Sequence, residues 1–300
     1  MTPRLVAIEG KGGVGRSTVA AALGHAWARA GRTLWLVTLH DEPGLANACH
    51  VPPQYPARPI APGLWVSTLS TREALRDFGR RKLPVGALGG AALASRPMTT
   101  LVDAVPGLAD LVQLGKIEDR LHAPLDGEPR LDAIVLDAPA TGHGHRLLDA
   151  PGVVSALAKA GPFHALAAKI AALVEDADAM RHVLVTLPEP LPMSETLESL
   201  DASVDAGRTP SAVVINRTLP PMPTPRPALP PGWSAGFDAL ERRWHLAAEA
   251  EQTLIDGLRA RGLQTLPRVR MSDVPDAANR RPWDAWVAEL APLIALLEAP

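Results

Sequence analysis

Residues 10–18 read Gly-Lys-Gly-Gly-Val-Gly-Arg-Ser-Thr, between a short apolar run, Leu5-Val6-Ala7-Ile8, and a helical stretch from Val19 to Ala30. Strand, glycine-rich turn and helix in that order are the setting of a phosphate-binding loop. Glycine lets successive backbone N–H groups turn inward without Cβ clashes. The helix behind the turn contributes unsatisfied donors and partial positive charge. Gly10, Gly12, Gly13, Val14, Gly15, Arg16, Ser17 and Thr18 are therefore the candidate phosphate contacts. A hydroxyl at the end of such a loop can hold Mg²⁺, which makes Ser17 a candidate metal ligand. One position breaks the pattern G-x-x-x-x-G-K-[ST], because residue 16 is arginine. The charge is kept, but a compact ammonium is exchanged for a wide planar fork.

A strand followed at once by a helix predicts an α/β chain, and the rest of the sequence repeats that alternation. Short apolar runs bounded by Gly, Pro or polar residues predict strands at Leu5–Glu9, Thr33–Thr38, Leu64–Thr68, Ala133–Asp137, Val183–Leu187, Ala212–Asn216 and Leu263–Val269. Such runs suit strands buried on both faces. The expected fold is a doubly wound, mostly parallel sheet of about seven strands, with ligands bound beyond the carboxyl ends of the strands. Residues 1–300 are read as a single domain, with helical insertions near 70–125 and 151–180 and a closing helix at Trp283–Leu297. Seven prolines fall between Pro220 and Pro231, so 218–232 reads as an extended surface loop, either a stiff spacer or a docking segment.

Composition narrows the chemistry. The formal net charge is −2, which implies no bulk attraction to nucleic acid. Cys49 is the sole cysteine, so neither an internal disulfide nor a C-x-x-C metal site can form. No run of 18 apolar residues occurs, which points to a cytoplasmic chain with at most peripheral membrane association.

Three further segments carry candidate site residues. The second strand exits into Thr38-Leu39-His40-Asp41-Glu42-Pro43; Asp41 either orients a water at a terminal phosphate or caps the following turn. The fourth predicted strand ends in Asp137-Ala138-Pro139-Ala140-Thr141-Gly142-His143, where Asp137 can reach Mg²⁺ and His143 either senses a phosphate or starts a helix. Asn216 ends the sixth, and its amide offers the donor and acceptor that suit an adenine edge.

Together, Lys11–Thr18, the helix around Pro106–Ile117, Asp137–His143 and Asn216 resemble the ArsA-type and guided-entry ATPases, a branch of the deviant Walker A nucleotide-binding proteins. That resemblance implies ATP or ADP with Mg²⁺ as ligands. It implies that Lys11 reaches phosphates across a dimer interface, that Asn216 reads adenine, and that the switch segment near Asp137 moves with nucleotide state. A homodimer, or a heterodimer with an ArsA-like paralogue, and a protein client held by the helical insertions are implied too. Arg16 departs from the family's lysine, the family's switch aspartate aligns with His40 and leaves Asp41 one position late, and no clustered cysteines exist for arsenite or zinc. Two expectations follow: an ATPase that is slow or partner-dependent, or an impaired relative that serves as an interaction subunit.

Overall fold

In the computed structural model, residues 5–39, 43–82, 87–122, 129–140, 144–273 and 282–299 are described. The elements run β1 (Leu5–Glu9), α1 (Arg16–Arg29), β2 (Leu34–Leu39), α2 (Gly44–Ala48), β3 (Arg58–Ala61), β4 (Leu64–Leu69), α3 (Thr71–Lys82), α4 (Ala87–Leu93), α5 (Arg96–Ala104), α6 (Leu108–His122), β5 (Ala133–Asp137) and α7 (Gly144–Leu157). They continue α8 (Pro162–Glu175), β6 (Met180–Thr186), α9 (Pro190–Asp205), β7 (Ala212–Thr218), α10 (Ser234–Ala260), β8 (Arg268–Ser272), α11 (Pro282–Glu289) and α12 (Ala291–Leu297).

The strands form one sheet in the order β3-β4-β2-β5-β1-β6-β7-β8, parallel throughout except at β3–β4. β1 lies between β5 and β6, and every residue of β1 and β5 is buried. Side-chain alternation sends Leu5 and Ala7 to one face, and Val6 and Ile8 to the other. The Val6 face packs on α1, with Trp27 fully buried, and on Trp286, Leu293 and Leu297 of α11 and α12. The Leu5 face packs on α3 and α5–α8. Further along that face, α9 and α10 cover Leu184, Val213 and Ile215 in a separate apolar cluster. The expected doubly wound α/β architecture is thus observed.

Three boundaries differ from expectation. Among the described residues the sheet has eight strands, because β3 forms an antiparallel edge hairpin with β4. Its four residues include Pro59 and are only partly buried, so neither an apolar run nor an alternation marks them. The last strand is Arg268–Ser272 instead of Leu263–Val269. Leu263 and Leu266 instead close a turn, Leu266 N–H to Leu263 O at 2.9 Å, and β8 buries only Val269 and Met271 while Arg268 and Arg270 face solvent. The closing helix is two helices meeting at Leu290, since Pro292 starts a new helix where it cannot continue an old one.

Helices α3 and α5–α8, in the regions expected as insertions, share one apolar cluster with the sheet. α6 is buried along much of its length, so its charges are paired. Lys116 meets Asp77 at 2.5 Å beneath the Tyr55 ring, and Glu118 accepts from Lys169. The proline-rich stretch is pinned to α10. Trp244 Nε1–H donates to Pro220 O at 2.7 Å, and Arg226 lies over the Phe237 ring while pairing with Asp238 and Glu241.

Candidate nucleotide site

The loop leaves the buried end of β1 at the crevice where the strand order reverses. Gly10 has φ 156°, and a Cβ there would stand 2.5 Å from Val185 O. Gly15 closes the loop at φ 91° as the N-cap of α1 and brings no capping side chain to the helix. The turn therefore presents N–H groups and helix-end charge with little to screen them. Gly12 and Gly13 are exposed, and among the described residues none beyond their chain neighbours comes within 4 Å of where their Cβ atoms would be. That open space leaves the loop backbone accessible to a polyphosphate.

The candidate metal ligands meet. Ser17 Oγ donates to Asp137 Oδ2 at 2.6 Å. Asp137 is nearly fully buried at the end of β5, in register with Ile8 and Thr38. A hydroxyl and a carboxylate at a loop's end are the hard oxygen donors that Mg²⁺ takes. Thr18 occupies the same first turn of α1, half-buried. Gly44 at the start of α2 completes this corner, for a Cβ there would lie 2.5 Å from Ser17 Oγ. Sequence reasoning missed Gly44; its place just after the exit of β2 was the available signal.

Arg16 extends across Gly10, with its Cγ 3.4 Å from where a Cβ would sit. Its guanidinium donates to the carbonyl of Ala138, the residue after Asp137. The expected phosphate cation thus also touches the start of the switch segment. Lys11 stands at the surface 3.8 Å from Glu195 of α9, both about one-third exposed. By local sequence alone Ser194 reads as a helix cap and Glu195 as a first-turn acid with no chemistry. α9 in fact begins at Pro190, with Glu189 as its N-cap, which brings Glu195 alongside the loop.

Asn216 braces the loop. Its Nδ2 donates to Val14 O at 2.8 Å, and its Oδ1 accepts from the Arg217 N–H at 2.9 Å. A Cβ on Gly15 would fall 2.2 Å from that same nitrogen. Arg217 adopts φ 54°, at the register shift that lets β7 deliver this side chain. Among the described residues these two bonds leave one amide hydrogen and one oxygen lone pair of the buried Asn216 unused.

Asp41, with His40, and the switch residues Thr141–His143 lie outside the described residues. Cys49 is largely buried; burial, reinforced by the charge of Asp137, pushes its thiol up to about 12. A thiol held protonated is a poor soft-metal ligand. Among the described residues no cluster of three or more His, Cys, Asp or Glu could hold a metal ion. Among them, too, no helix is long and apolar enough to cross a membrane.

Comparison with known proteins agrees with this geometry. The sequence family described as anion-transporting ATPase, ArsA, matches residues 3–161, more than half of the chain. The ATPase BagA of Mycobacterium tuberculosis is 36% identical over 225 residues, 72% of this chain and 66% of BagA. A Mycobacterium bovis protein, whose name assigns it an ATPase provisionally, matches to the same extent. The chain spans just under two thirds of the length of these relatives.

Proposed function

Because the chain belongs to the ArsA anion-transporting ATPase family, we propose that it binds ATP with Mg²⁺, dimerises around the nucleotide and uses its switch segment to move a helical partner-binding region. The single observation that carries this reading is the Ser17–Asp137 contact at 2.6 Å. It joins the phosphate loop to the end of β5 through the two donors a nucleotide-bound metal needs. Mg²⁺, when bound, offsets the charge of the terminal phosphates. Ser17 and Asp137 would hold it. The N–H groups of 12–17 and the guanidinium of Arg16 would hold the phosphates. Asn216 would keep the loop in shape and offer its remaining amide valences to the adenine. Lys11 would leave Glu195 to reach the partner's nucleotide, and Asp41 would orient the attacking water. Exposed Leu88 on α4, Leu101 on α5 and Leu157 at the end of α7 favour the helical layer on the Leu5 face as the partner-binding region.

Arg16 and the displaced Asp41 favour a second reading: a pseudo-ATPase that binds nucleotide and acts as the interaction subunit of an intact paralogue. Calorimetric titration with ATP and ADP, with and without Mg²⁺, coupled to mass measurement, tests the first reading. Mg-dependent binding with dimerisation is expected; a monomer that ignores millimolar nucleotide would overturn it. Arg16→Lys then separates the two readings. A rise in turnover of about 10²-fold marks a competent site weakened at one contact. No change marks loss elsewhere.

A further inference from the structure

Glu9 ends β1, immediately before the phosphate loop. It is fully buried, and neither carboxyl oxygen has a hydrogen-bond partner among the described residues. Buried carboxyls in folded proteins are ordinarily bonded or paired. By strand alternation its side chain leaves the sheet on the Leu5 and Ala7 face, whereas Ser17 and Asp137 meet on the face of Ile8. Glu9 therefore lies behind the loop, across the sheet from the metal donors.

The charges that reach it are Arg208, which precedes β7, Asp149 on α7, and Arg16 on α1. His182 of β6, in register with Ala7, shares its face. Arg208 and Asp149 are bonded to each other and act on Glu9 with opposite sign, Arg208 the more strongly. Arg16 is the cation that ties this buried group to the phosphate site, since its stem crosses Gly10 and its guanidinium lies at Ala138 O.

We propose that Glu9 is a positioning residue of the phosphate site, acting through Arg16, and that binding of a nucleoside polyphosphate draws one proton onto its carboxyl. The inference rests on the nucleotide reading above. Burial pushes the Glu9 carboxyl up to about 7, while Arg208 and Arg16 pull it down against a smaller upward push from Asp149. Between pH 7 and 8 it is thus partly ionised in the empty protein, supported by Arg208 and by Arg16, the one of the two cations that also touches the loop. A polyphosphate in the loop engages Arg16 and places its own negative charge at the end of β1. Both changes disfavour the carboxylate, which takes H⁺ from solvent to become the neutral acid. Linkage is reciprocal, so affinity falls as pH rises through this window. A neutral Glu9 also leaves the whole charge of Arg16 to the phosphates, which is how the carboxyl positions it.

The test is calorimetric titration of the full chain with MgADP at pH 7.5 in MOPS, HEPES and Tris, whose ionisation enthalpies differ. The expected apparent enthalpy rises with buffer ionisation enthalpy, with a slope of a fraction of one proton taken up. Glu9→Gln keeps the shape and removes the titration; its slope is expected to vanish, and its affinity to become independent of pH from 6.5 to 8.5. A purely structural role for Glu9 would leave the proton count unchanged. Binding without a slope in the native protein overturns the inference whether or not the variant folds, and so does a slope that survives in Glu9→Gln. Absence of any binding heat removes the nucleotide reading and this inference together.

Discussion

The carboxamide of Asn216 and the backbone of Gly15 leave no space for a methyl group between them: a Cβ on Gly15 would lie 2.2 Å from Asn216 Nδ2. A residue 202 positions away from Val14 thereby holds the phosphate loop closed through one hydrogen bond. Gly15→Ala meets both this obstruction and the φ of 91°. It is expected to abolish MgATP binding in calorimetry. Asn216→Ala removes the brace and leaves the Val14 carbonyl buried without its partner, a cost of about 1–3 kcal/mol. Denaturant unfolding should show that loss together with weakened ADP affinity. Unaltered affinity in both variants would mean the loop is not the nucleotide site.

Ser17 and Asp137 predict a signature specific to the metal. Ser17→Ala deletes one donor and leaves the loop backbone in place. Its affinity for ATP without Mg²⁺ should stay within about threefold of the native value, while the gain produced by Mg²⁺ should disappear. A single lost contact to developing charge lowers turnover by about 10²–10³ where turnover is present. Full Mg²⁺ dependence in Ser17→Ala would remove Ser17 as a metal ligand.

Lys11 and Glu195 form a pair at 3.8 Å, each about one-third exposed, so its contribution to stability is small, about 0–1 kcal/mol. Its proposed importance lies in holding Lys11 on its own subunit. Glu195→Gln is expected to leave the melting temperature nearly unchanged and to shift the ATP-bound population toward dimer. Sedimentation with and without nucleotide reads this directly. An unshifted equilibrium would argue against Lys11 acting across an interface.

Glu9 also predicts a pH dependence of folding. Its carboxyl is raised from 4.5 to about 7 by burial. The native state therefore holds this proton more tightly than the unfolded chain does. Stability contributed by the neutral acid is intact below about pH 4.5 and is lost as pH rises toward about 7, by roughly 3 kcal/mol. This is opposite in sign to a salt-bridged carboxylate. Urea midpoints of Glu9→Gln should be flatter than native over pH 5–7.5; parallel curves would refute the assignment.

How much of this was legible follows from the range of each signal. The loop, β1, β5 and the strand-end Asp137 are encoded by contiguous residues, so local pattern was enough. β8 was misplaced because an edge strand with arginines outward carries half the apolar signal of a buried one. Glu195 was overlooked because the start of α9 was read five residues late, which turned a loop neighbour into a first-turn acid.

The order of strand, loop and helix, the glycines at 10, 12, 13 and 15, and the hydroxyl and carboxylate at 17 and 137 were determined by sequence alone. Each depends on backbone freedom, helix-end charge or apolar runs, which act over a few residues. Only the tertiary structure decided that Asn216 braces Val14, that Arg16 reaches Ala138, that Glu195 holds Lys11 and that Glu9 is buried with no hydrogen-bond partner among the described residues. Those relationships join residues 122 to 202 positions apart, or depend on what covers a strand end. They exist because a parallel sheet gathers the carboxyl ends of distant strands at one edge, where burial and charge are set by neighbours that no local pattern names.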